Sequence, residues 1–108
     1  VFDFNAMTHG NFTSVKGTWK NAEGQTITFD EKGIVADETS ISSFNYDAAG
    51  NLIVNVQTGL TGYSIWFVMK GNAIVPEGDT SDTNRDRIFA GQGMPEDIAS
   101  AAYYRVDQ

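Results

Sequence analysis

The chain has 108 residues, no cysteine, one histidine and a formal charge of −7, from 14 acidic side chains against 7 basic ones. Those numbers exclude disulfides, thiolate metal sites and any centre built on several imidazoles, and they repel polyanions such as nucleic acid. A hydrophobic share of 41% with 11 glycines and only 2 prolines suits one turn-rich β domain over residues 1–108 rather than a disordered segment.

No apolar run reaches the ~18 to 20 residues of a membrane span, and the opening at Val1 carries no signal peptide, which reads as a chain trimmed from a longer protein. Residues 1–15 predict a lid rather than a strand. Asp3 is placed to cap a short helix through Phe4, Asn5, Ala6 and Met7, and Gly10 to end it in the left-handed conformation. Phe2, Phe4, Met7, Phe12 and Val15 are too apolar for a free tail, so the segment is expected to cover one end of a sheet. His9 falls beside the helix stop, where a histidine sits well without any catalytic partner.

Gly17-Thr18-Trp19-Lys20-Asn21 and Gln25-Thr26-Ile27-Thr28-Phe29, joined across Glu23-Gly24, read as an opening hairpin, with Gly17 letting another backbone approach the Trp19 indole. Asp30-Glu31-Lys32-Gly33 reverses the chain into a third strand beginning at Ile34-Val35. Strands follow over Thr39–Asp47 and Leu52–Gln57, with Leu52, Val54 and Val56 on one face. Tyr63–Met69 carries bulk on both faces, which predicts a central strand or one covered on its outside. Ala73-Ile74-Val75 reads as a further strand ended by Pro76. Residues 77–86 form the most polar loop. Arg87–Ala90 and Tyr103–Val106 close the pattern, joined through a helical turn at Glu96–Ala99. About eight short strands at this spacing predict an all-β fold, a small antiparallel barrel with a short N-terminal helical lid.

Asp82, Asn84 and Asp86 place oxygen ligands at alternate positions, as a hard cation requires, with Asp79 as an added donor. An EF-hand loop wants Gly at its sixth position and Glu at its twelfth, where this chain has Arg87 and Gly93. The competing expectation is that Arg85 and Arg87 pair with Asp79, Asp82 or Asp86 and pin the loop. Acidic pairs at Asp30-Glu31, Asp37-Glu38 and Glu96-Asp97 fall in turns and helix starts, where surface placement accounts for them. No nucleophile elbow, P-loop or dinucleotide fingerprint occurs, so neither a catalytic residue nor a cofactor is expected. Asn21, Tyr63, Trp66 and Tyr103 are the expected ligand contacts, the aromatic ones by offering stacking faces to a sugar or peptide.

The stretch from Gly17-Thr18-Trp19 to Gly24 resembles the first strand of avidin-like and lipocalin-like barrels, where a Gly-x-Trp lays the indole across the closed end. In avidins the following Asn and a Ser beyond the turn touch the biotin ureido group; here Asn21 matches, Gln25 stands at the Ser position, and Trp66 is the one later tryptophan. The resemblance therefore implies the fold and not biotin binding. A longer resemblance is carried by Asp3-Phe4-Asn5-Ala6, Gly10-Asn11-Phe12, Gly17–Asn21, Asp82–Ile88 and Tyr103-Tyr104-Arg105-Val106. Together they are similar to a domain of unknown function found towards the C-terminus of predicted surface lipoproteins of Gram-positive bacteria. That resemblance implies an extracellular, cell-surface domain, tethered to the membrane through a lipidated cysteine upstream. The function expected is a binding or interaction module for a small ligand, glycan or protein. The alternatives are a hydrolase using a carboxylate pair and a calcium-stabilised structural domain.

Overall fold

Asp3 opens the first element as its position predicts: its Oδ1 accepts the Ala6 amide at 3.0 Å and caps α1 (Phe4–Thr8). Gly10 follows at φ +93°, where a side chain would be strained, and ends the helix. This is a computed structural model, and it describes residues 1–106. After a 3-10 turn at Thr13–Val15 come β1 (Gly17–Lys20), β2 (Thr26–Asp30), β3 (Gly33–Ile34), β4 (Thr39–Tyr46), β5 (Leu52–Thr58), β6 (Thr61–Val68), β7 (Arg87–Gly91), α2 (Ile98–Ala101) and β8 (Tyr104–Arg105).

The strands form two antiparallel four-stranded sheets, ordered β3-β2-β1-β8 and β4-β5-β6-β7. The closed barrel expected from the sequence is not formed among the described residues. No ladder joins β3 to β4, and β7 meets β8 through the single Ile88–Tyr103 bridge. The reason is local. β3 is only two residues long because the chain leaves it through residues 35–38, where Glu38 takes φ +52°. On the other side α2 is inserted just ahead of β8, so that only Tyr103 is left to reach β7.

Inward-facing residues of both sheets share one core: Trp19 and Phe29 from the first, Leu52, Val54, Val56, Ile65, Phe67 and Ile88 from the second. Phe29 and Phe67 bring the sheets together with ring centroids 5.6 Å apart. The lid supplies Phe2, Met7, Phe12 and Val15, all buried, with the Phe2 ring edge-on to Phe67 at 5.5 Å. Each such side chain contributes ~1.5–3 kcal/mol when taken out of water. The strand read as covered on its outside is so: Trp66 and Val68 on the back of β6 pack with Phe89, Ile74, Ile98 and Ala102 in a second, smaller cluster.

Trp19 is fully buried, and its Nε1 donates to the Val15 carbonyl at 3.0 Å. The group lying over the indole is not the backbone that Gly17 suggested. It is the Arg105 guanidinium, 4.5 Å from the ring centroid, donating to the carbonyls of Lys16 (2.6 Å) and Ser14 (3.0 Å). A Cβ on Gly17 would stand 3.5 Å from Arg105 Nη1, and the φ of +123° already favours glycine there.

Ala73-Ile74-Val75 is not a strand. The Ile74 amide donates to Asp79 Oδ2 at 2.9 Å instead of to a neighbouring chain, so a side chain has taken the bond a ladder would need.

The lid, the β2–β3 and β4–β5 turns and the 69–86 loop gather at one end, where Phe12 N–H donates to the Glu31 carbonyl at 2.8 Å. Turn 21–25, loop 35–38, turn 59–60 and loop 92–97 gather at the other, which no segment comparable to the lid covers among the described residues. Trp19→Ala is expected to lower stability by ~3–5 kcal/mol through the cavity it leaves beneath Arg105. An unchanged urea midpoint would show that the indole does not hold the core.

Candidate functional site

The polar loop between β6 and β7 is organised by Arg87, which is fully buried. All five of its N–H groups find acceptors: Nε on Ser81 Oγ (2.9 Å), Nη1 on the Met69 and Arg85 carbonyls (both 3.2 Å), Nη2 on the Asn72 carbonyl (2.7 Å) and Asp79 Oδ2 (2.8 Å). Asp79 is as fully used, its Oδ1 accepting from the Ser81 amide and hydroxyl and its Oδ2 from the Ile74 amide and Arg87. Burial pushes the Asp79 carboxyl upward. The hydrogen bonds from Ser81, Ile74 and Arg87 outweigh it, leaving the group below the usual aspartate value.

Of the two arginines expected to pin this loop, Arg87 does so through Asp79, whereas Arg85 lies over the Tyr104 ring, 4.1 Å from its centroid. The alternate ligand set is split up. Asp82 Oδ1 accepts the Asn84 amide at 3.0 Å, and Asp86 Oδ1 reaches across to the Lys70 amide at 2.8 Å. Among the described residues no three acidic or histidine side chains cluster as metal ligands.

At the uncovered end, Asn21 and Tyr103 come together in a cleft of about 270 Å³, bordered also by Glu23, Gln25, Pro95 and Glu96. Asn21 holds the turn itself: Oδ1 accepts the Glu23 and Gln25 amides (3.1 and 2.9 Å) and Nδ2 donates to Gln25 Oε1 (2.8 Å). Its side chain is thereby engaged within the hairpin, and what it offers the cleft is shape.

Tyr103 is the deep group here, 8% exposed, and its hydroxyl has no hydrogen bond among the described residues. Burial pushes its phenol up, and the neighbouring Tyr63 and Glu23 charges push the same way. Tyr63, also raised by burial, is half-buried and borders two further clefts, of about 370 and 190 Å³. The larger lies on the outer face of β4, β5 and β6, where Asn55 donates to Ser43 Oγ (3.0 Å) and Asn45 Oδ1 (2.8 Å) and accepts from Ser64 Oγ (2.7 Å).

Trp66 is not brought to this end. It is packed in the outer cluster with Ile98 and Tyr104. Glu23 and Glu96 border the cleft without having been singled out there by the sequence, because only the pairing of β1 with β8 brings the 21–25 turn against α2, as the Ala22 N–H to Ser100 carbonyl bond (3.3 Å) records. The acidic pairs of the turns stay at the surface, with Asp30 Oδ1 accepting the Lys32 and Gly33 amides (2.8 and 3.1 Å) and Asp97 Oδ1 the Ser100 amide (3.3 Å). His9 caps α1, its Nδ1 2.7 Å from the Asn5 carbonyl.

Two packed antiparallel sheets with a lid across one end define a small, mostly β domain. The family model described as Domain of unknown function (DUF6287) matches residues 1–108, and the chain belongs to that family. No curated protein and no solved structure matches it.

The lowered Asp79 carboxyl makes a pH prediction. A depressed acid adds stability above its unfolded value of about 3.9, and this is lost as pH falls through the lower folded value. The wild-type midpoint is expected to drop as pH falls below about 4, while Asp79→Asn, destabilised at neutral pH by ~3–5 kcal/mol because Arg87 loses its buried counter-charge, loses this acid limb. Equal acid slopes in the two proteins would contradict the assignment. Calcium makes a second. With Asp82 and Asp86 turned to separate amides, millimolar calcium is expected to leave the melting temperature unchanged. A rise that disappears in Asp82→Ala would restore the metal reading, since a ligand at a hundredfold excess over its dissociation constant adds ~2.7 kcal/mol.

Proposed function

We propose that this domain is a binding module at the surface of a Gram-positive bacterium, carried by a lipoprotein anchored through a lipidated cysteine upstream of Val1, with its ligand seat at the open end. In this reading residues 1–108 are one cooperative unit, an eight-stranded barrel left open between β3 and β4. The motifs shared with the surface-lipoprotein domain support the compartment, and the charge of −7 argues against nucleic acid as partner.

The observation that carries the seat is Tyr103: its side chain is more than nine-tenths buried and borders the cleft, while its hydroxyl has no partner among the described residues and is open to solvent. A hydroxyl held by a packed ring and left open to solvent is available to a ligand at little cost in side-chain entropy. The competing cleft at the lid end, bordered by Ala48, Ala49, Ala73, Ile74 and Pro76, is larger at about 470 Å³ and more apolar. Its polar neighbours are already committed: Asn72 Nδ2 donates to Asn51 Oδ1 (2.8 Å), and Asn51 Nδ2 to Asp47 Oδ2 (2.9 Å). Apolar room without free polar groups gives little orientation to a ligand, so the open end is preferred.

A hydrolase reading needs two carboxylates sheltered in one cleft. The sheltered carboxylate here is Asp79, and it serves Arg87.

Titrating the ¹⁵N-labelled domain with a panel of small polar and aromatic fragments is expected to shift amides of residues 21–25, 59–63 and 91–103. Shifts concentrated at 47–49 and 72–76 would move the seat to the other end. For the compartment, metabolic labelling of the full-length protein with a palmitate analogue is expected to mark it through a cysteine upstream. An unlabelled protein would sink the anchoring proposal.

A further inference from the structure

The cleft beneath α2 is bordered by Glu23, Glu96 and Asp97 and by no basic side chain. Asp97 is occupied as the cap of α2, but Glu23 and Glu96 are exposed and their carboxylates enter no hydrogen bond or ion pair among the described residues. Acidic residues on an acidic protein carry no meaning alone. The independent observation is Tyr103, a side chain 8% exposed that borders the same cleft and whose hydroxyl, without a partner among the described residues, is open to solvent. It offers lone pairs below, with carboxylates at the rim.

That arrangement is complementary to a cation carrying several donors. An ammonium group has three N–H bonds and a guanidinium five, enough to meet two carboxylates and a phenol oxygen together. The surroundings are apolar as well as acidic: Met94, exposed at 45%, sits on the loop that brings Pro95 and Glu96 to the cleft. A free polyamine would leave it uncovered. We propose that the open end binds a polypeptide segment, seating a lysine or arginine side chain between Glu23, Glu96 and Tyr103, with apolar neighbours against Met94. This rests on the open end being the ligand seat, and adds the class of ligand.

The test is a chemical-shift titration of the intact domain with a blocked leucine–lysine–leucine tripeptide, with leucine–glutamate–leucine and chitobiose as controls. The lysine peptide is expected to shift residues 21–25 and 90–103. It is expected to bind about 5-fold more weakly to Tyr103→Phe and to the Glu23→Gln/Glu96→Gln double variant, equivalent to losing about 1 kcal/mol. Thermal melts of both variants at the wild-type temperature would show that the fold is intact. Shifts spread evenly over the acidic turns at 30–31 and 37–38, or affinities unchanged in the variants, would reduce the effect to net charge and overturn the proposal. Equal binding of the glutamate peptide, or no shift at about 10 mM lysine peptide, would overturn it too. Chitobiose alone shifting the open end would overturn the cationic assignment while leaving the seat in place. Shifts at the 47–49 and 72–76 cleft would remove both.

Discussion

The Trp19 indole, pressed beneath the Arg105 guanidinium, is the contact on which the rest of the fold depends. One side chain from the first strand and one from the last meet across 91 residues of sequence between Ser14 and Arg105. Closing so long a loop costs chain entropy, and that cost is recovered only where many groups are satisfied at once. Here they are. The indole N–H is bound to Val15, the guanidinium to Ser14 and Lys16, and the ring is covered on further sides by Phe2 of the lid. The same contact fixes the first strand, the last strand and the N-terminal segment against one another, so each is ordered only when the other two are.

Much of this was legible in the chain because it is encoded over a few residues. Asp3 three positions before Ala6, Asp30 before Gly33 and Asp97 before Ser100 each close a local hydrogen bond whose partners are fixed by spacing alone. The alternation of Leu52, Val54 and Val56 needed no partner to be recognised as one buried face. What failed did so where a distant or competing group decides. Ile74 has the neighbours of a strand residue, and the Asp79 carboxylate takes its amide. The ring of strands was expected to close, and the brevity of β3 and the insertion of α2 leave it as two sheets.

The candidate site divides along the same line. Asn21 and Tyr103 were singled out for their chemistry and are neighbours in one cleft, but their partners Glu23 and Glu96 are assembled only by the pairing of β1 with β8. Trp66, on the outer face of a central strand, packs instead against a short helix and an irregular loop that partly bury it, a neighbourhood that no local pattern in the chain announces. Charge was the less informative signal throughout. With 14 acids in the chain, Asp79, which holds Arg87, and Glu23 and Glu96, which border the cleft, differ from the others only in what surrounds them.

The two ends of the molecule are coupled through three consecutive residues. Tyr103 faces the main core and the open cleft. Tyr104 faces the outer cluster, where its hydroxyl accepts the Asp82 amide at 2.8 Å and Arg85 covers its ring. Arg105 turns inward again onto Trp19. Because side chains alternate with a period of two along a strand, a slip of one residue in β8 would exchange these surroundings, drawing a phenol away from the cleft and a guanidinium out of its carbonyl acceptors. β8 is two residues long and has little ladder of its own to resist this. Its register is set by the side chains, chiefly Arg105 against Trp19 and Tyr104 against the polar loop. The depth of Tyr103, and with it the shape of the cleft, is therefore decided by contacts at the covered end and on the outer face of the sheet.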